Sequence, residues 1–115
     1  MSPATVTRTR AAVFRAVGLP QEVAEVELGP LGPDHVVVEV RAVSICGTDL
    51  HMVNGDWVRP RPMVLGHECA GVVARVGSEV AGVAVGDHVA VCWSAPCGRC
   101  ASCEQDAPQR CLPAR

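Results

Sequence analysis

The sequence predicts a small, mostly β domain in which antiparallel strands form a barrel or a sandwich. Apolar residues recur with a period of two, glycine and proline separate the apolar segments, and 115 residues suffice for one hydrophobic core. The clearest alternation covers residues 35–43. It predicts a half-buried strand with one aliphatic face, formed by Val36, Val38, Val40 and Ala42.

The other elements follow from the same pattern. Residues 11–18, 22–28, 70–76 and 87–93 are predicted strands, and the segments LGPLGPD, RPRP and AGVAVGD between them are typical of turns. Residues 47–55, GTDLHMVNG, are the best helical candidate. We therefore expect an N-terminal tail at residues 1–10 and one domain at residues 11–115.

Composition excludes several classes of function. The formal net charge is −2, and the ten basic residues are all arginines spread along the chain, so nucleic acid and anionic membranes are not expected partners. The absence of lysine excludes Schiff-base chemistry and a phosphate-loop lysine within this sequence. The seven cysteines come without a secretion signal, which favours metal ligands and free thiols in the cytoplasm.

Cysteines near the C-terminal end have the spacing of a zinc site. Cys97, Cys100 and Cys103 form a CxxCxxC pattern, and Cys111 follows after a polar loop. Four thiolates that leave no open position are typical of a structural zinc site. The alternatives are two disulfides or redox-active thiols. With zinc, residues 95–113 would form a lobe whose folding free energy comes partly from metal binding.

A second group of candidate ligands lies further towards the N-terminus. Cys46 follows a predicted strand and precedes Gly47, and His67 follows Gly66 at the start of another predicted strand. Both side chains could face one cleft at the rim of the strands, with Glu68 as a neighbouring oxygen donor. A catalytic zinc needs three protein ligands and one open position. Taken alone, a buried thiol and a hydrogen-bonded imidazole are the simpler reading of this pair.

Residues 66–80, GHECAGVVARVGSEV, carry a resemblance to a known family. Gly-His-Glu is followed at fixed intervals by Gly71, Gly77 and Val80, and CGTDLH, GDHV and the cysteine pattern occur in the same order as in that family. The chain resembles the zinc-containing alcohol dehydrogenases of the medium-chain dehydrogenase/reductase family, in particular their liver-type or glutathione-dependent formaldehyde dehydrogenase branch. The resemblance runs from about residue 11 to the end. It implies a GroES-like, partly open β-barrel with short helices and a four-cysteine zinc lobe.

The resemblance also implies residue roles. Catalytic zinc would be held by Cys46 and His67, with Glu68 as a carboxylate that can approach it, and structural zinc by Cys97, Cys100, Cys103 and Cys111. Asp49 would orient His67, Thr48 would bind the substrate oxygen, and His51 would pass the proton to solvent. The zinc would hold the alcohol as alkoxide while hydride passes to NAD(P). Without the resemblance, Thr48 is a good helix N-cap, Asp49 a first-turn acid and His51 a solvated surface residue.

Members of this family are several times longer, and their following segments supply a third zinc ligand and a Rossmann domain. No GxGxxG motif occurs here. We therefore expect the catalytic-domain portion of a truncated dehydrogenase, with NAD(P) and a small alcohol or aldehyde bound only in a complete enzyme, which can be a homo-oligomer. Two alternatives are a non-catalytic zinc-binding module or inactive fragment, and an interaction barrel similar to the small chaperonin cap protein. Thr48, Asp49 and His51 favour descent from an active enzyme.

Overall fold

The computed structural model describes residues 7–111, which form two open, three-stranded antiparallel sheets and three short helical segments. The strands are β1 (Thr7–Phe14), β2 (Glu22–Leu28), β3 (Val36–Ser44), β4 (Met63–Val64), β5 (Glu68–Val76) and β6 (His88–Val91). The helices are α1 (Gly47–Asn54) and α2 (Ala101–Glu104), and a 3-10 turn spans Pro108–Arg110. The prediction of a mostly β protein with short helices is confirmed.

The first sheet has the strand order β2-β1-β4 and extends further towards the N-terminus than we expected. Thr7 pairs with Leu28, so residues 7–10, predicted as the end of a tail, belong to β1. Arg8 lies opposite Glu27, and the two side chains form an ion pair at 3.0 Å. Opposite charges on paired strands support the register, which explains why a segment without an apolar run is a strand. The predicted tail at residues 1–6 lies outside the described residues.

The second sheet has the order β3-β5-β6 and carries the residues of interest. The β3–β5 register is interrupted twice, and at the second interruption Arg41 has no partner in β5. Such an extra residue reverses the alternation of faces along a strand. This separates Ala42 from the face that Val36, Val38 and Val40 share. The predicted buried stripe is also wrong before the irregularity, because Val36 is 37% and Val40 53% exposed and only Val38 is half-buried.

Close contact between β3 and β5 depends on Gly71. A Cβ atom at this position would overlap the carbonyl oxygen of Glu39 on the neighbouring strand. The backbones can approach each other here only because residue 71 has no side chain.

The buried apolar residues of the described part of the chain are few, namely Val13, Phe14, Val73 and Cys111. Phe14 and Val73 come from different sheets, and Cys111 ends the cysteine lobe. Among residues 7–111, no helix combines the length and the apolar character needed to cross a membrane.

Candidate metal sites

The first candidate site lies where β3 ends and β5 begins. The last residue of β3, Ser44, pairs with the first residue of β5, Glu68, so the segments that continue from these strands start side by side. Cys46 follows two residues after Ser44, and His67 directly precedes Glu68. One donor atom each from Cys46, His67 and Glu68 lies within 4.8 Å of the other two. Residues more than twenty positions apart in sequence are thus brought together by strand register.

The carboxylate of Asp49 connects the two segments that carry Cys46 and His67. Its Oδ2 accepts a hydrogen bond from the backbone N–H of Cys46 at 2.9 Å, and its Oδ1 accepts one from the backbone N–H of Gly66 at 3.2 Å. Oδ1 also lies 3.5 Å from Nδ1 of His67. Gly66 has a φ of +104°, which a residue with a side chain rarely adopts and which turns the chain towards Asp49. Asp49 is 6% exposed and is the one buried charged residue among residues 7–111.

Glu68 is held by a hydroxyl group from the neighbouring strand. Ser44 Oγ donates a hydrogen bond to Glu68 Oε2 at 2.8 Å. This hydrogen bond, followed by one from the Cys46 thiol, lowers the pKa of the Glu68 carboxyl below its usual value. The carboxylate form, which is the form that binds a metal, is therefore favoured.

Thr48 lies beside Cys46 but is not the helix cap that the sequence alone suggested. Helix α1 begins at Gly47 and its N-cap is Cys46, which makes Thr48 the second helical residue. The Thr48 hydroxyl oxygen lies 3.7 Å from the Cys46 sulfur, within hydrogen-bonding range for sulfur. The hydroxyl therefore borders the group of donor atoms, whereas the first-turn position expected for Asp49 is confirmed.

His51 lies in the last turn of α1 and has two defined partners. Its Nδ1 is 2.8 Å from Asp56 Oδ2, and its ring stacks on Trp57 with centroids 5.3 Å apart and an interplanar angle of 19°. The side chain is half exposed, as expected for a surface residue, yet its orientation is defined by these contacts.

An open cleft of about 540 Å³ lies beside two of these donors, His67 and Glu68. His67 and Glu68 lie on its wall, and most of the remaining lining is apolar. That lining includes Val43, Cys69, Val91 and Trp93. An apolar cleft beside a few polar groups is the usual form of a small-molecule site.

The second candidate site is the cysteine lobe. The sulfur atoms of Cys97, Cys100, Cys103 and Cys111 lie within 4.8 Å of one another. The Cys100 sulfur is 3.6 Å from that of Cys103 and 3.9 Å from that of Cys111. The short helix α2 directly follows Cys100 and brings Cys103 back towards it, and the 3-10 turn directs Cys111 inwards. All seven cysteines of the chain are free thiols in the structure.

Backbone hydrogen bonds and burial shift the pKa values of three thiols of the lobe in different directions. The hydrogen bond from the backbone of Arg99 lowers the pKa of Cys97 to about 7, whereas burial raises that of Cys103 to about 11. A hydrogen bond from the backbone of Cys103 lowers the pKa of Cys100. These hydrogen bonds favour the thiolate forms of Cys97 and Cys100, which are the forms that bind a metal. The Cys97 N–H in turn donates to the Cys111 sulfur at 3.3 Å.

The structure adds residues that the sequence did not single out. Ser44 and Asp56 contact proposed site residues, but a lone serine at a strand end and an acid in a turn carry no motif. The remaining cysteines, Cys69 and Cys92, belong to neither group of donors. Cys69 lies half-buried in β5, whereas Cys92, which falls within the strand predicted at residues 87–93, is exposed just beyond β6.

Comparison with known proteins agrees with these features. Residues 32–115 match the family described as alcohol dehydrogenase GroES-like domain. The chain is 43% identical over 98 residues to an alcohol dehydrogenase of Schizosaccharomyces pombe, an alignment that covers 81% of this chain and 28% of that protein. It is 38% identical over 109 residues to an S-(hydroxymethyl)glutathione dehydrogenase of Photobacterium damsela subsp. piscicida, covering 94% of this chain and 30% of that protein.

Among solved structures, the alcohol dehydrogenase zinc-binding domain protein from Burkholderia ambifaria superposes with a TM-score of 0.86 at 40% sequence identity. That match covers 94% of this chain and 29% of the other. The chain thus spans less than a third of the length of these proteins. It belongs to the zinc-containing alcohol dehydrogenases of the medium-chain dehydrogenase/reductase family and corresponds to their GroES-like domain.

Proposed function

We propose that this chain is the catalytic-domain portion of a zinc-dependent dehydrogenase that oxidises small alcohols to aldehydes or ketones. The observation that carries the proposal is the convergence of Cys46, His67 and Glu68 within 4.8 Å at the edge of an apolar cleft. The site offers a thiolate, an imidazole and a carboxylate on one side and an open cleft on the other. A catalytic zinc requires such a set of protein ligands together with one position open to substrate. When bound, zinc would supply Lewis-acid polarisation of the substrate oxygen.

The roles proposed for the neighbouring residues follow from their contacts. Asp49 orients His67 and holds the backbone of Cys46, so it fixes both donors at once. With Nδ1 directed at Asp49, the other ring nitrogen of His67 is the donor atom. Thr48 presents its hydroxyl next to Cys46 and would hydrogen-bond the substrate oxygen. His51, half exposed at the end of α1, would receive the proton and release it to solvent.

A separate, structural zinc is proposed for Cys97, Cys100, Cys103 and Cys111, within a lobe at residues 95–113. Four sulfurs bound tetrahedrally at about 2.3 Å from zinc lie about 3.8 Å from one another. The sulfur separations of 3.6 and 3.9 Å fit that geometry. The donor set is closed, since four thiolates leave no position for substrate. The proposal is therefore one catalytic and one structural zinc per chain.

The hydride acceptor is proposed to be NAD(P), bound by a nucleotide domain of the complete enzyme. The substrate is proposed to be a small alcohol or aldehyde, because the cleft has apolar walls and polar groups only at its metal-site end. Free cysteines as ligands favour a reducing compartment, and we propose the cytoplasm. A homo-oligomeric complete enzyme is part of the same proposal.

The test is zinc content per chain, measured by elemental analysis on protein purified without added metal. About two zinc ions are expected in the unaltered chain. His67→Ala should remove one zinc and leave the fold largely intact, whereas Cys100→Ser should remove one zinc and destabilise the cysteine lobe. Circular dichroism and thermal unfolding distinguish loss of zinc with an intact fold from loss of zinc with a destabilised lobe. NAD- and NADP-dependent oxidation of simple alcohols is then assayed on the complete enzyme and its His67→Ala variant.

One zinc in the unaltered chain, retained in His67→Ala, would contradict the catalytic proposal and favour a non-catalytic zinc-binding module. Equal loss of structure in both variants would contradict the division into a catalytic and a structural site. Cys92→Ser is the matched control, because that exposed thiol lies outside both groups and its replacement should leave the zinc content unchanged.

A further inference from the structure

Glu68 is the most exposed member of the Cys46, His67 and Glu68 group, and a solvent-exposed glutamate normally samples several rotamers. Among the described residues, no arginine forms an ion pair with it, although the chain has ten. Its orientation therefore needs another cause. Two side chains donate hydrogen bonds to its carboxylate: the Ser44 hydroxyl, at 2.8 Å from Oε2, and the Cys46 thiol, which is itself a proposed donor to the metal.

The Ser44 hydroxyl is placed by the sheet and not by a local motif. Ser44 and Glu68 are a directly opposite antiparallel pair, so their side chains project from the same face of the sheet. The irregularity at Arg41 determines this register, since without the extra residue the face of Ser44 would be reversed. A short charge-assisted hydrogen bond across such a pair restricts the rotation of the carboxylate.

We propose that Ser44 is a positioning residue for the metal site: its hydroxyl holds the Glu68 carboxylate next to Cys46 and His67 and thereby strengthens metal binding by these three residues. The inference rests on the proposed function of this site. Its physical basis is preorganisation, because a donor already held in place loses less conformational freedom when the metal binds. Neighbours that orient a metal ligand typically contribute 10–100-fold to metal affinity.

The experiment measures zinc affinity of this site by competition with a chromophoric chelator. Cobalt(II) spectra distinguish the site with one thiolate from the four-thiolate lobe. Ser44→Ala should weaken zinc binding at the first site about tenfold. Ser44→Thr keeps a hydroxyl at the same position and should restore most of the affinity. Ser78→Ala, which removes an exposed hydroxyl in the turn after β5, is the matched control and should change neither site.

A double-mutant cycle separates positioning of Glu68 from a general structural role. In a Glu68→Ala background, Ser44→Ala should have no further effect on affinity, because no carboxylate remains to be held. Unchanged or tighter zinc binding in Ser44→Ala, or an equal loss in the Glu68→Ala background, would overturn the inference. If the unaltered chain bound no metal through Cys46 and His67, both this inference and the proposed function would be wrong, whereas normal binding unaffected by Ser44→Ala would defeat the inference alone.

Discussion

Asp49 Oδ1 lies 3.5 Å from Nδ1 of His67, and the same carboxylate accepts the backbone N–H groups of Cys46 and Gly66. One buried side chain therefore ties the start of α1 to the start of β5. Two of the proposed zinc donors, Cys46 and His67, are therefore held by a single acid. This relationship makes Asp49 as much a structural residue as a residue of the proposed catalytic site.

Replacement of Asp49 by asparagine tests that relationship. The amide nitrogen of asparagine would face one of the two backbone N–H donors, leaving a buried donor unsatisfied. We expect a loss of about 1–3 kcal/mol in the free energy of unfolding together with weaker zinc binding through Cys46 and His67. Thermal unfolding and chelator competition measure the two effects. Asp34→Asn, at an exposed turn position, is the control, and equal stability of the two variants would contradict the structural role.

Asp56 is expected to select the tautomer of His51. Because Oδ2 of Asp56 lies 2.8 Å from Nδ1 of His51, the neutral ring should carry its proton on Nδ1 and leave Nε2 as the acceptor. Because the His51–Asp56 pair is half exposed, its contribution is small. Asp56→Ala should lower the ratio of the Nδ1-protonated to the Nε2-protonated form of His51 by roughly 1.5- to 5-fold. Nitrogen chemical shifts of His51 in alkaline buffer report that ratio. An unchanged ratio would exclude Asp56 as the partner that orients the ring, and Glu79→Ala serves as the distant control.

The cysteine lobe should show a thiol that ionises early. The pKa of Cys97 is lowered to about 7 from an ordinary value of 9.0, so in the metal-free chain a thiolate should form as the pH rises through about 7. Because the folded pKa is the lower one, the associated stability is complete above 9.0 and is lost as the pH falls through about 7. Ultraviolet thiolate absorbance during a pH titration measures this ionisation. Cys97→Ser should reduce the thiolate absorbance gained near pH 7, whereas Cys92→Ser should leave it unchanged. The opposite pattern would mean that a thiol other than Cys97 forms the early thiolate.

The close approach of β3 and β5 gives a prediction about stability. Gly71→Ala would place a methyl group against the carbonyl oxygen of Glu39, and overpacking of this kind costs about 1–3 kcal/mol. Gly29→Ala is the matched control, since nothing lies within 4 Å of a Cβ at that position. Chemical denaturation of both variants measures the difference. If Gly71→Ala were as stable as Gly29→Ala, β3 and β5 could move apart at residue 71 without a loss of stability, which would contradict the prediction.

The strand irregularities explain where prediction from the sequence failed. Alternation along residues 35–43 correctly indicated a strand, and β3 spans Val36–Ser44. It could not indicate the unpaired residue Arg41, because a bulge depends on how two strands meet. The bulge moves Ala42 off the predicted face, and the exposure of Val36 and Val40 depends on what packs against the sheet, which alternation along one strand does not reveal. The start of β1 was missed for a related reason: the pairing of Arg8 with Glu27 supports it, and these residues are distant in sequence.

Local spacing in the sequence determined the cysteine lobe and the helix that follows Cys46. Gaps of two residues place neighbouring thiols close enough to bind one metal, and the GHE signature marks His67 and Glu68. The resemblance already implied that Cys46, His67 and Glu68 share one site. Only the tertiary structure decided how the three meet, that Asp49 also binds the backbone of Cys46 and Gly66, and that Ser44 contacts Glu68. The physical reason is that these contacts depend on the register between β3 and β5, which is set by the cross-strand pairing of distant residues and not by any segment alone.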